Sequence, residues 1–303
     1  MAKVLISGLV NRESSVKVDG FPLPYSPIEY AFNGVQSSVS GVGYNVAKAF
    51  HKLGDDVSLY SILGEDDNAE AILARLKKEG IDTSHIVISS DTESAESIVL
   101  VDKTGQRKIY CDLKNIQELQ PFSTQKAVIS KPKEFDLAIL TNINFSRPFL
   151  SLFKENGVKI ASDVHVLSNI EDDYNRGFLE DADILFLSNE ACKGREGDFI
   201  KEISSRYKNE LIVIGCGEEG ALAYLGREDR YIYEKAIAPK GVVNTVGAGD
   251  ALFSAFLHYY LKVGKVEEAL RFAVTFAGLK IASSGGAMGF PSEEETLSYI
   301  QDK

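Results

Sequence analysis

Short apolar runs alternate with helical patterns along most of the chain. The strand-like runs are rich in leucine and β-branched residues, and they read KVLISG, VSLYSILG, FDLAIL, VKIASD, ADILFLS and LIVIG. Between them, NVAKAFHKLG and DDNAEAILARLKKEG have apolar residues at helical spacing and end at Gly54 and Gly80. Two closing helices are predicted, from Val246 to Leu261 and from Val266 to Ser283. This alternation predicts a mostly parallel sheet with helices on both faces, a three-layer α/β/α fold.

Two regions interrupt the alternation. Residues 13–41 are rich in proline, glycine and β-formers, and residues 96–113 contain two strand-like runs around DKTGQ, a hairpin signal. Neither region adds an obvious helix to the main sheet. We therefore expect a single domain, 1–303, with a small β-sheet lid formed by about 13–39 and 96–113. Extra edge strands on the main sheet are the alternative.

Composition and charge narrow the function classes. The 303 residues carry a formal net charge of -11, which disfavours binding to nucleic acid or to an anionic membrane. No apolar stretch reaches the ~18 residues that span a bilayer, and the N-terminal run lacks the features of a signal peptide. Three widely spaced cysteines indicate reduced thiols, so we expect a cytoplasmic protein. The histidines show no metal-ligand spacing, so no metal site built by the protein is predicted.

The segment NTVGAGDALFSAF (244–256) places one carboxylate between a glycine turn and an apolar helix, after a strand-like run, KGVVNT. Free N–H groups and the helix dipole at such a helix start attract phosphate or a developing oxyanion. A negative side chain there is a poor choice for simple phosphate binding. It suits a general base, Asp250, that takes a proton from an attacking hydroxyl. The alternative is that Asp250 only caps the helix and that the glycines only permit close packing.

This segment resembles the DTxGAGD signature of the ribokinase-like, or PfkB, carbohydrate kinases. Four other segments resemble motifs of that family in the same order along the chain: SGVGYNVAKAFHKLG, LGEDDNAEAILARLKKEGI, FLSNEACKG and GGAMGFPSEEE. The resemblance runs from Gly8 to Glu295 and implies a ribokinase-like fold. It also implies transfer of the γ-phosphoryl group of ATP to a sugar hydroxyl, with Mg²⁺ screening the phosphates.

The resemblance implies roles for individual residues. Asp250 would be the catalytic base, and the backbone amides of Gly247, Ala248 and Gly249 would form the anion hole. The residues implied in acceptor binding are Glu13, Asn11, Gly41, Gly43 and Asn45. The residues implied on the nucleotide side are Asn189, Gly217, Gly220, Thr245, Gly285 and Gly286. From their chemistry alone, Asn45 could equally be a helix N-cap, Asn11 a turn residue, and Gly217 and Gly220 a simple turn.

Several positions depart from the family pattern. Glu13 stands where the family usually has aspartate, which allows a different sugar or a different placement of it. Asn244 replaces the first aspartate of DTxGAGD and leaves potassium (K⁺) activation open. Cys192 replaces the glutamate of the NxxE motif, with Glu190 out of register, so metal handling is open too. Gly215 replaces a threonine, and Asn68 replaces a glycine.

Other functions remain as alternatives. A nucleoside (pseudouridine-like) kinase of the same family is one, in which Tyr44 or a lid aromatic, Tyr25, Tyr30 or Phe32, would stack on a base. A ligand-binding relative without catalysis is another. A dinucleotide-dependent oxidoreductase is disfavoured, because Val46 stands where GxGxxG needs its third glycine.

Partners are expected to be ATP, a small-molecule acceptor and a second copy of the chain. The lid should expose strand edges, and such edges pair readily with another chain, which favours a homodimer through the lid. Arg107 and Lys108 in the hairpin are expected to be solvated, with contact to a phosphorylated acceptor as the alternative.

Overall fold

The computed structural model describes residues 1–119 and 129–301. The strands, in chain order, are β1 (Lys3–Ser7), β2 (Asn11–Val18), β3 (Val35–Ser40), β4 (Asp56–Gly64), β5 (Ile86–Ser89), β6 (Glu96–Asp102), β7 (Arg107–Asp112), β8 (Leu137–Leu140), β9 (Ile160–Val166), β10 (Ile184–Ser188), β11 (Leu211–Gly215), β12 (Gly220–Leu225) and β13 (Arg230–Lys235). The α-helices of the described residues are α1 (Val42–Leu53), α2 (Asp67–Lys78), α3 (Arg147–Glu155), α4 (Arg176–Asp181), α5 (Glu196–Tyr207), α6 (Ala248–Val263), α7 (Val266–Lys280) and α8 (Glu293–Gln301).

The larger sheet has nine strands in the order β13-β12-β11-β10-β9-β8-β1-β4-β5. The strands from β11 to β5 are parallel, and β12 and β13 add an antiparallel edge. Helices cover both faces. In β1, Val4 and Ile6 pack into the core with α1, α6 and α7, whereas Leu5 packs into the core with α3, α4 and α5. This period of two follows from the pleat of a strand buried on both faces, and the three-layer expectation is confirmed.

The smaller sheet has four strands in the order β3-β2-β6-β7. The strands of the sequence-predicted hairpin, β6 and β7, pair antiparallel, and β2 joins this hairpin to β3. These strands form their own sheet, so they are not extra edge strands of the larger one. Glu13 pairs with Ser38 on one side and with Ser97 on the other, and Ser97 pairs with Cys111. This row therefore lies on one face of the lid sheet.

The base of the lid sheet is tied to the main body on three strands. Strand β2 begins at Asn11, shortly after β1 ends at Ser7, and β3 ends at Ser40, with only Gly41 between it and the start of α1 at Val42. Before β6, the carboxylate of Asp66 accepts hydrogen bonds from the Ser94 amide at 2.7 Å and from the Ser94 hydroxyl at 2.8 Å. Because Asp66 is also the N-cap of α2, helix and lid share one anchoring side chain.

The structure differs from the sequence expectations near the C-terminus and at the sheet edges. The run KGVVNT is not a strand: the amides of Val243 and Asn244 both donate to the Ile281 carbonyl, and Val243 is 65% exposed. A third closing helix, α8, follows the two that were predicted, and the Ser292 hydroxyl accepts from the Glu295 amide at its start. The strands β5, β12 and β13 were also not predicted, and of these β5 and β13, at the two edges of the sheet, are partly exposed.

In the described parts of the chain, no helix combines the length and apolar character that crossing a membrane would need.

Close packing of α1 against β1 gives a testable prediction. A methyl group on Gly43 would lie 2.5 Å from the carbonyl carbon of Gly8, so Gly43→Ala forces backbone apart. We expect the free energy of unfolding to fall by ~1–3 kcal/mol, measured by urea denaturation. Gly197→Ala is the matched control. Gly197 is likewise the second residue of its helix, but the nearest atom to an added methyl lies at 4.0 Å. It should be neutral or slightly stabilising, and equal stabilities of the two variants would contradict the prediction.

Candidate active site

Asp250 lies in the first turn of α6 and does not cap the helix. The N-cap is Gly247, in the left-handed region at φ 75°, and no side chain makes a capping bond there. The Asp250 carboxylate instead accepts a hydrogen bond of 2.6 Å from the Asn45 amide nitrogen. The capping alternative is therefore wrong for Asp250. Its carboxylate is held in place from α1, a different part of the chain.

Asn45 is not an N-cap either. It is the fourth residue of α1, which begins after Gly41, and its side chain is buried. While its amide nitrogen holds Asp250, its Oδ1 has no hydrogen-bond partner. The same is true of Asn11, whose amide nitrogen donates to the Ser97 hydroxyl at 2.8 Å and whose Oδ1 is unpartnered. Buried amide oxygens normally have partners, so Asn11 and Asn45 each keep one unused acceptor next to the site.

The glycines around Asp250 have different tasks. A methyl group on Gly247 would lie 2.3 Å from the Gly286 carbonyl oxygen, so the turn before α6 is pressed against the 285–286 loop. A methyl on Gly286 would lie 3.3 Å from the Asn45 amide nitrogen. Gly249, in contrast, has nothing within 4 Å of such a methyl. The surface of α6 at Gly249, in its first turn, is therefore open, and the free amides of such a helix start attract anions.

Burial raises the pKa of the Asp250 carboxyl above its ordinary value. The hydrogen bond from Asn45 and the positive charges of His165 and Lys280 act in the opposite direction, and the Asp163 carboxylate adds to the rise. His165 adopts a left-handed backbone at φ 57° near the end of β9. A raised pKa makes Asp250 a stronger base than an ordinary carboxylate.

Lys280 was missed by the sequence analysis. It is the last residue of α7 and fully buried, and its ammonium donates to the carbonyl oxygens of Val246 and, at 3.0 Å, of Gly285. Burial lowers the pKa of Lys280 to about 8. The available signal was a lone lysine inside the apolar pattern FAVTFAGLKIA, where a core-facing position would be unusual for a charge.

The lid reaches the site through Arg107. Its guanidinium lies 3.4 Å from the Thr245 hydroxyl, so Arg107 is not only solvated, as expected, but contacts the turn before α6. The neighbouring Lys108 points to the other face of the hairpin, over the Tyr110 ring at 4.9 Å. Strand register puts Arg107 on the same face of the lid as Glu13. This face therefore covers the cluster around Asp250.

Three of the residues expected on the nucleotide side, Asn189, Gly217 and Gly220, lie after β10 and β11, at the carboxyl ends of parallel strands, whereas Thr245, Gly285 and Gly286 lie next to the start of α6. Asn189 is buried and donates to the Glu196 carboxylate at 2.9 Å. Gly217 has φ 59° and open space around it. Gly220 has a structural reason to be glycine, since an added methyl would lie 2.1 Å from the Glu234 carbonyl oxygen on β13. Ligands of open α/β sheets bind at this edge.

Tyr44 cannot stack on a nucleoside base. It is 1% exposed, and its hydroxyl donates to the Glu79 carboxylate at 2.6 Å. Lys48 and Arg75 hold the same carboxylate at 2.7 Å. Tyr44 therefore joins α1 to α2 inside the fold, and the suggestion that it contacts an acceptor is wrong.

A carboxylate held beside the first turn of a helix, under the lid sheet, is the arrangement that a small-molecule phosphotransferase needs. The sequence model of the pfkB family carbohydrate kinases matches residues 1–293, and the chain belongs to this family. The expected sugar kinase activity is confirmed at this level.

Known relatives resemble the chain over most or all of its length. An ATP-dependent ribose-1-phosphate kinase of Halopiger xanaduensis is 25% identical, over 100% of this chain and 99% of the relative. A 5-dehydro-2-deoxygluconokinase of Clostridium perfringens is 26% identical over 87% of this chain and 84% of that protein. Among solved structures, a microbiome-derived acarbose kinase superposes with a TM-score of 0.90 at 23% identity, covering 99% of both chains. At this identity the superposition shows the fold.

The Asn45–Asp250 hydrogen bond leads to a testable prediction about how kcat/KM depends on pH. A base must be ionised, so kcat/KM for the acceptor should fall on the acid side, at a pH above the ~4 of an ordinary aspartate. The Asn45 amide stabilises the ionised form, so Asn45→Ala should move this limb to still higher pH. The measurement is kcat/KM from pH 4.5 to 8 at saturating ATP. Asn156→Ala, whose side chain bonds its own helix, should leave the limb in place. A limb unmoved in Asn45→Ala would contradict the assignment.

Proposed function

We propose that the protein transfers the γ-phosphoryl group of ATP to a hydroxyl of a sugar or sugar derivative bound beneath the lid. The observation that carries this proposal is the Asp250 carboxylate, oriented by Asn45 at 2.6 Å beside the open first turn of α6. Asp250 takes the proton of the attacking hydroxyl. The amides of Gly247, Ala248 and Gly249 stabilise the negative charge on the transferred group.

The acceptor is held by polar groups of α1 and the lid. The unpartnered amide oxygens of Asn11 and Asn45 accept hydrogen bonds from acceptor hydroxyls, and Glu13 supplies a carboxylate from the same lid face. Gly41 and Gly43 let α1 start close to β1, which brings Asn45 to Asp250. Arg107 closes the lid over the turn through Thr245 and helps to exclude water from the transfer.

ATP and Mg²⁺ are the proposed cofactors. When bound, Mg²⁺ neutralises phosphate charge, and it is usually held by few carboxylates together with substrate phosphates. Asn189 and Glu196 supply oxygens suited to this ion, and Glu196 provides a carboxylate in a region where Cys192 replaces the family glutamate. Gly217, Gly220, Gly285 and Gly286 border the nucleotide. We further propose that the chain forms one domain, 1–303, with 13–39 and 96–113 as its lid, and that it acts in the cytoplasm.

The test is ADP release from ATP and Mg²⁺ across sugars, sugar phosphates and nucleosides. One acceptor should support turnover, and Asp250→Asn should reduce kcat at least ~10²-fold because the base is lost while the amides remain. ATP binding, measured by calorimetry, should change little. Near-normal turnover in Asp250→Asn would remove the proposed base.

The acceptor side is tested by Glu13→Gln, which keeps the shape of the side chain but removes its charge. It should raise KM for the acceptor much more than KM for ATP.

In the panel of acceptors, turnover only with nucleosides would favour the nucleoside alternative. Silence across the panel, with one ligand still raising the melting temperature, would favour the non-catalytic relative.

We also propose that two copies pair through the outer face of the lid, opposite Glu13. Ile98 and Tyr110 are cross-strand neighbours on this face, each about half exposed, and Val35 on β3 lies on it too. Both edge strands, β3 and β7, have one unpaired side. Such apolar faces and edges are features of pairing surfaces.

Ile98→Asp should convert a dimer into a monomer, because it places a charge in the middle of this face. The measurement is molar mass by sedimentation equilibrium at micromolar concentrations. Ile88→Asp is the matched control, since Ile88 is 45% exposed, against 48% for Ile98, but lies on β5. A wild-type mass that stays monomeric at all concentrations would contradict the proposal.

A further inference from the structure

Lys280 is a buried cation without a carboxylate partner among the described residues. It is fully buried, and the ion pairs found there do not include it. Burying a charge in this way is costly unless hydrogen bonds replace the lost water. Its ammonium obtains them from the carbonyl oxygens of Val246 and Gly285.

The two carbonyls belong to the two segments that frame the catalytic carboxylate. Val246 lies in the turn that leads into α6, and Gly285 lies in the loop whose next residue, Gly286, is pressed against Gly247. The Lys280 charge also lowers the pKa of Asp250, so it acts electrostatically on the base. One ammonium therefore bridges both segments and adds positive charge next to the phosphate-binding turn.

Backbone carbonyl oxygens gathered around one point are also how proteins hold a bare K⁺ ion. Here that arrangement does not suit a free cation. The two carbonyls already accept from Lys280, and the Asn244 side chain is uncharged, with its oxygen bonded to the Val246 amide at 2.7 Å. A K⁺ ion would therefore find none of these three oxygens free. The sequence had left K⁺ activation open, and this place does not support it.

We propose that the Lys280 ammonium is a built-in monovalent cation, which holds the turn before α6 and makes the enzyme independent of K⁺. Lys280 acts as a positioning residue through Val246 and Gly285. Its effect on turnover rests on the proposed kinase function, whereas its effect on the turn does not.

The first experiment compares initial rates in chlorides of potassium, sodium, ammonium and choline at equal ionic strength. With the acceptor found in the panel, the rates of the wild type in the four salts should agree within about twofold, because the Lys280 ammonium is part of the chain. Lys280→Ala should lose about 10²-fold in kcat, comparable to the loss of one stabilising donor. Potassium or ammonium should restore at least tenfold of this loss, since either ion can occupy the vacated carbonyls. Lys280→Met should stay inactive in every salt, because its side chain fills the same space without charge.

The second experiment needs no activity. The melting temperature of Lys280→Ala should rise in potassium or ammonium chloride relative to choline chloride, while the wild type should show no such difference. Lys262→Ala, which removes an exposed lysine from α6, is the control and should behave as the wild type does. If no acceptor is phosphorylated, the kinase proposal fails, while this experiment still tests the role of Lys280.

Activation of the wild type by potassium, or a Lys280→Ala variant that responds to no cation in either experiment, would overturn the proposal. If the alanine variant does not fold, the wild-type salt comparison decides alone.

Discussion

The hydrogen bond between Asn45 and Asp250 is the contact on which the site depends. It joins residues 205 positions apart and links the first helix of the fold to α6, whose first turn carries Asp250. The bond has consequences in both directions. It orients the carboxylate and stabilises its ionised form, and it leaves the other amide atom of Asn45 free to accept a hydrogen bond. Gly43 makes this possible, because only a residue without a side chain lets α1 start against the backbone of Gly8.

Charged groups on both sides of this bond act on the pKa of Asp250 in opposite directions. Asp163 opposes ionisation of Asp250, and His165 and Lys280 favour it. Lys280 is the most buried of these charges and the one fixed by backbone oxygens, so it is the least free to move when phosphates arrive. Because little reorganisation is needed during the reaction, such fixed charges are effective in catalysis.

The fold and the place of Asp250 in the first turn of a helix were predictable because both are local signals. Apolar runs and helical spacing indicated the parallel sheet, and the glycine turn before an apolar helix indicated Asp250. Contacts between distant segments were not predictable in the same way. The apolar pattern around Lys280 indicates that this lysine is unusual but not that it contacts Val246 and Gly285, and Tyr44 looks available until Glu79 is seen. The run KGVVNT has strand-forming residues, yet it lies outside both sheets, so β-propensity alone gave a wrong strand prediction.

The anchors at the base of the lid restrict how the lid can move. Strand β2 continues almost directly from the central strand β1, and Asp66 fixes Ser94 just before β6. A lid held at its base on three strands has little freedom there, so we expect any displacement to be largest at the far end of the β6–β7 hairpin. Arg107 lies near that end, whereas Asn11 lies at the root. Movement of the tip would then change access to the space beneath the lid, while the buried amide of Asn11 at the base would keep its geometry.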